Sequence, residues 1–161
     1  MNFDAIKEEQ WGSLTGCSGK AAAIRAKSES LVKRLSSLFC EEGHRESVDI
    51  SISASDSAAG AVLALVSSPL GRGRLRQGWT IANGTLAGII LVDREELGPD
   101  GQSLWRNVWG ITVPEYDNPY VGMGQERMQI YLDRHFGADL RNSLFAFGMS
   151  ILHAIAITPE A

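Results

Sequence analysis

The sequence predicts an α+β domain: an N-terminal helix, an antiparallel β-meander of about five strands, and two C-terminal helices packed mainly on one sheet face. Three observations predict it. Apolar residues recur at helical spacing between Ser18 and Cys40 and again after Arg127. Between these segments apolar and polar residues alternate with period two, and an Asn-Gly pair joins two long β-type runs. Strands in sequence followed by helices give a sheet with helices gathered on one side.

Residues 1–18 form an arm, with Phe3 and Ile6 on one side of a short helical turn. Ser18 is placed to cap the helix that follows, because its hydroxyl can accept from the free N–H groups of the first turn. In that helix Ile24, Leu31, Leu35 and Leu38 share one face, widened by Ala21, Val32 and Phe39. Gly43 supplies the left-handed residue that ends it.

In "SVDISISAS", Val48, Ile50, Ile52 and Ala54 alternate with Ser47, Asp49, Ser51 and Ser53, the mark of a half-buried strand. "GAVLALVSS" is a short apolar run that fits a strand or a buried helix, and is read here as a strand. In "WTIANGTLAGIILV" the pair Asn83-Gly84 suits a type I′ turn, and a two-residue loop fixes the register. Ala82 then faces Thr85, Ile81 faces Leu86, Trp79 faces Gly88 and Arg74 faces Asp93. Leu75, Trp79 and Ile81 share one face, Arg74, Arg76 and Thr80 the other, and Gly88 leaves room for the Trp79 indole.

"ELGPDGQ" makes the next turn, with Pro99 at its corner and Gly101 free to take positive φ. In the strand "SLWRNVWGITV", Trp105, Trp109, Ile111 and Val113 point one way, Arg106 and Thr112 the other. After "PEYDNPYVGMG", Met128, Tyr131, Leu132 and His135 fall at helical spacing up to Gly137. A last helix starts near Asp139 with a stripe of Leu140, Leu144, Phe147, Ile151 and Ile155.

A chain of 161 residues fits one domain, 1–161, and its 44% hydrophobic and 21% charged residues are ordinary for a globular protein. A net charge of -4 argues against general nucleic-acid binding. Cys17 and Cys40 form no CxxC pair, which fits a reduced, cytoplasmic protein. The charged N-terminus lacks the apolar core of a signal peptide, and the most apolar stretch, which carries His153, falls short of a membrane span.

"GCSGKAAA" resembles a phosphate loop only superficially: Leu14 stands where the first glycine is needed, Ala21 follows Lys20, and no strand precedes it. Lys20, Lys27 and Arg34, spaced by seven, line one flank of the first helix, where long cationic side chains can run along the edge of a packed face. Arg72, Arg74 and Arg76 share one side of a strand, where Asp93, Glu95 and Glu96 can neutralise them. Together these two basic sets would serve nucleic acid only if contiguous.

The strongest candidate site is "PEYDNPYVGMGQER", which gathers Glu115, Tyr116, Asp117, Asn118 and Tyr120 on a long loop with Arg127 close behind. As a contact surface, Tyr116, Asp117, Tyr120 and Arg127 would act with Trp105 and Trp109. As an acid–base site, Glu115 or Asp117 would work with His135, since Asp133 diverges from His135 on a helix. There is no GxSxG elbow, and His44, His135 and His153 show no metal-ligand spacing, so neither metal nor cofactor is expected.

"TLAGIILV" is apolar on both faces, which points to a cover such as a second copy of the chain. The reading is a small protein-binding module of inhibitor, immunity, chaperone or adaptor type. A small-molecule or enzyme site near residues 115–135 is the alternative, with nucleic acid through residues 20–34 and 72–76 third.

Overall fold

The computed structural model describes residues 11–41, 48–55, 61–122, 127–132 and 138–157. A 3-10 turn, Gly12–Leu14, leads into helix α1, Cys17–Cys40. Ser18 is not its cap. Gly16 is, at φ 69°, and its carbonyl accepts the Lys20 N–H at 3.3 Å. A glycine can take that left-handed conformation without strain, so the chain turns into the helix before Ser18 is reached. Phe3, Ile6, Gly43, His44 and His135 lie outside the described residues.

The expected stripe of α1 is buried: Ile24, Leu31, Val32, Leu35, Leu38 and Phe39, joined by Ser28. Each large apolar side chain buried this way contributes about 1.5–3 kcal/mol, far more than helix propensity at any one position.

Seven strands form one antiparallel sheet in sequence order, rather than about five. They are β1 (Ser51–Ala54), β2 (Val62–Ser68), β3 (Gly71–Ala82), β4 (Thr85–Leu97), β5 (Ser103–Val113), β6 (Tyr120–Val121) and β7 (Met128–Gln129). The last two are two-residue pieces, too short to carry a period. They also correct the expected helix there: Met128 pairs with Val121 and Gln129 with Tyr120, and the Ile130 N–H donates to the Pro119 carbonyl at 2.8 Å. One C-terminal helix is therefore described instead of two: α2, Ala138–Ala156. Both α1 and α2 pack on the same sheet face. Ala54, expected inward, is exposed at the end of β1, whereas Ile50 and Ile52 are buried.

The β3–β4 hairpin has the expected register from Ala82↔Thr85 to Arg74↔Asp93, with Asn83 and Gly84 at φ 51° and 75°. The space above Gly88 is not filled by Trp79. A side chain there would meet Ile24 Cγ2 at 2.5 Å and Gln77 Nε2 at 2.8 Å, so the missing Cβ lets α1 approach the sheet. Trp79 and Ile81 share the Leu75 face but lie 46% and 49% exposed near the hairpin tip.

Apolar residues on the opposite face of β4 are sheltered within the chain. Gly78 pairs with Ile89 and Gly110 with Leu91. A Cβ on Gly78 would meet Ile89 Cγ2 at 2.9 Å and Leu91 Cδ1 at 3.0 Å, and one on Gly110 would meet Ile89 Cδ1 at 3.2 Å. Ile89 and Leu91 thus fold over glycine gaps and end half-buried without a second layer.

β5 departs from strict alternation. Val92 pairs with Trp109 but Asp93 pairs with Asn107, leaving Val108 as a bulge. One inserted residue exchanges the two faces beyond it. Trp109 therefore packs on the helix side against Phe147, at 5.7 Å between rings, while Trp105 lies on the opposite face beneath the Arg74 guanidinium. The expectation that the two tryptophans share a face is overturned, and Arg106 moves to the helix side. Asn107 fills the broken ladder by donating from Nδ2 to the carbonyls of Val92 and Trp109, both at 3.2 Å.

α2 buries its expected stripe of Leu140, Leu144, Phe147, Ile151 and Ile155. It meets α1 where Phe39 stacks on Phe145 at 5.8 Å and lies against Gly148.

Candidate functional site

The loop Pro114–Pro119 starts where β5 ends, because Pro114 has no N–H to continue the ladder. It is fastened to α1. Lys27 Nζ donates to three backbone carbonyls: Pro114 at 2.6 Å, Glu115 at 2.7 Å and Asp117 at 2.9 Å. Burial pushes the Lys27 ammonium below its ordinary value, and the nearby charges of Asp117 and Glu115 partly restore it. Two turns further along the same flank, Arg34 donates to the Leu132 carbonyl at 3.3 Å. The Leu132 N–H in turn donates to Asn118 Oδ1 at 3.1 Å.

This stitching leaves a small hollow of about 290 Å³ between α1 and the loop, bordered by Lys27, Arg34, Tyr116, Asp117 and Asn118. Tyr116 is 88% exposed above it. Tyr120 carries the Arg127 guanidinium on its ring at 4.8 Å. The result is a fixed backbone presenting one fully projecting aromatic side chain with an acidic neighbour, Asp117.

Of the residues singled out in the sequence, Tyr116 and Asp117 border this hollow, whereas Tyr120 pairs with Thr112 on the sheet face away from α1 and holds Arg127 there, apart from it. Glu115 is half-buried and does not border the hollow, whereas Asp117 does. Trp105 and Trp109 are elsewhere: both lie further back along β5, on opposite faces. Sequence reasoning missed Lys27 and Arg34 as members of this site. Their spacing of seven placed them on one flank of α1, but their acceptors lie 87 to 98 residues away in the chain.

The arginine stripe is neutralised at its centre. Asp93, 1% exposed, accepts from Arg74 Nε at 2.9 Å, Arg76 Nε, Arg76 Nη2 at 3.0 Å and Asn107 Nδ2 at 3.4 Å. Burial alone would raise its carboxyl, but hydrogen bonds from Arg76 and Arg74 outweigh that and hold it below the ordinary value. Arg72 pairs with Glu95 at 3.2 Å. Glu96, expected to join them, lies on the helix side and pairs with Arg94 and, at 3.2 Å, with Arg106. Arg72, Arg74 and Arg76 thus face away from α1, so they are not contiguous with Lys20, Lys27 and Arg34.

Among the described residues no three His, Cys, Asp or Glu side chains converge as a metal-binding group. No helix among them is long and apolar enough to cross a membrane. No protein-family model, curated protein or solved structure matches the chain.

Proposed function

We propose that the chain is a protein-binding module whose contact surface is the loop 114–120, with Tyr116 as anchor. A single observation carries this reading: a tyrosine 88% exposed stands on a backbone held by three hydrogen bonds from Lys27. Exposed aromatics on ordered backbone bind well because they bring contact area while little conformational entropy remains to be lost. Asp117 beside it favours a partner whose tyrosine-sized pocket has a basic rim. Cys17 and Cys40 are both free and exposed, in keeping with a reducing compartment such as the cytoplasm.

The test begins with a photo-crosslinking amino acid at position 116, expressed in the source cells, and the same probe at Thr85 as control. The polypeptide captured only from position 116 is then titrated against the wild type and the Tyr116→Ala/Tyr120→Ala double variant. The double variant is expected to fold normally and lose at least about 2 kcal/mol of binding, roughly 30-fold in Kd. An affinity within twofold of wild type removes this loop as the contact surface.

A further inference from the structure

A second concavity lies at the other end of β5. It is a cleft of about 890 Å³ between the last turns of α2 and the outer parts of β4 and β5. Its apolar walls include Trp109, Met149 and Ile157, and its polar groups include Arg94, Arg106 and His153. No carboxylate side chain lines it among the described residues.

The bulge at Val108 builds this cleft. Without it, Arg106 would fall on the opposite face and Trp105 on this one; with it, a guanidinium stands at the mouth and the wall behind is indole. Arg94 is a fixed part of the wall: it donates to the Ile157 carbonyl at 2.7 Å and binds Glu96. Arg106 is different. It is 66% exposed and meets the same Glu96 through Nε at 3.2 Å. Among the described residues one carboxylate, Glu96, is shared by two guanidiniums, which leaves one positive charge in surplus.

We propose that this cleft binds a small amphipathic carboxylate, such as a fatty acid or an aromatic acid. The carboxylate would lie on the outward fork of Arg106, whose paired N–H groups match its two oxygens. The apolar body would lie along Trp109 and Met149, a methionine being able to adjust to ligands of different shape. The surplus of a single charge suits a monoanion. A cleft of this volume is within the range of pockets that hold small molecules. This site is separate from the Tyr116 loop and does not depend on it.

Sodium decanoate and decyltrimethylammonium below their micelle concentrations, and decanol below its solubility limit, test the proposal by calorimetry and tryptophan emission. Decanoate is expected to bind saturably, with decanol at least tenfold weaker and the cation weaker still. Sodium 2-naphthoate is the aromatic arm, and whichever acid binds tighter identifies the body the cleft prefers. Arg106→Gln, at an exposed position, should weaken decanoate about tenfold or more while leaving thermal unfolding in place. Met149→Trp should narrow the apolar wall and weaken binding, and Trp109→Phe should remove the emission change. The proposal is overturned if neither acid binds saturably. Equal binding of decanol and decanoate overturns it too, as does indifference to both Arg106→Gln and Met149→Trp.

Discussion

Replacing Lys27 by methionine removes the ammonium while keeping a side chain that can pack where the stem did. Three carbonyls lose their donor: Pro114 at 2.6 Å, Glu115 at 2.7 Å and Asp117 at 2.9 Å. A hydrogen bond involving a charged group contributes about 1.5–3 kcal/mol net. The bonds to Pro114 and Glu115 are part-buried, whereas that to Asp117 is exposed and readily replaced by water. Two part-buried bonds at the lower end amount to about 3 kcal/mol. Removing a partly desolvated cation offsets some of this, as the lowered pKa of Lys27 indicates. The expected net loss is about 2 kcal/mol.

Hydrogen exchange of the peptides spanning 113–121 measures the loop directly, and urea unfolding measures the whole. In Lys27→Met the loop amides should exchange faster and the urea midpoint should fall. Partner affinity should drop as well, since each loop residue ordered on binding then costs about 1 kcal/mol, and 1.4 kcal/mol is tenfold in Kd. Lys27→Arg should fail to rescue, because a planar guanidinium cannot aim three donors at carbonyls that converge on one ammonium. Unchanged exchange in the loop, together with a stability change below about 0.5 kcal/mol, would refute the reasoning.

Gly148→Ala should destabilise the protein by about 3 kcal/mol, read by thermal or urea unfolding. Its Cβ would overlap Cε2 and Cζ of the buried Phe39 ring, and the gain of about 1 kcal/mol in helix propensity does not compensate. Folding lowers the pKa of Asp93, so its stabilising contribution is complete above the ordinary carboxyl value of 3.8 and is lost as pH falls through the folded-state value. Urea midpoints taken from about pH 5 down to about pH 2 should show this loss, and Asp93→Asn should be weaker near neutrality and flatten the profile. Ser28→Ala should leave stability unchanged or raise it by about 1 kcal/mol, because the buried Ser28 Oγ has no hydrogen-bond partner among the described residues. A loss above that size in unfolding experiments would mean the hydroxyl is satisfied.

The hairpin was legible because Asn83-Gly84 fixes a two-residue turn, and every later pair follows from it by counting. The stripes of α1 and α2 were legible for a similar reason: 24 and 19 residues give the helical period several turns in which to show. β5 misled because Trp105, Trp109, Ile111 and Val113 satisfy alternation without a bulge. The contrary signal was Asn107, which strict alternation would turn inward while turning Val108 out. That inversion is what a one-residue bulge corrects. Residues 128–132 misled because five residues meet a helical spacing as readily as a short return strand. At the site, Tyr116 and its neighbours were legible from composition. The clasp was not, since nothing local in Lys27 or Arg34 names an acceptor on a distant loop.

The two candidate surfaces are consequences of one strand shared by two helices. At its C-terminal end β5 runs into a loop that α1 holds through Lys27; towards its N-terminal end the bulge opens a cleft that α2 closes. From Arg106 to Val113 is roughly 20 Å of strand, beyond the distance at which substitutions with no shared partners usually couple. The groups that define each surface are also distinct: Lys27 and Arg34 bind loop carbonyls, whereas Arg94 and Arg106 share Glu96. On the sheet face away from both helices lies the Asp93 network, which shares Asn107 with the bulge. Asn107 is therefore the residue on which the cleft and the sheet's polar centre both depend, while the loop is held independently of it from the other helix.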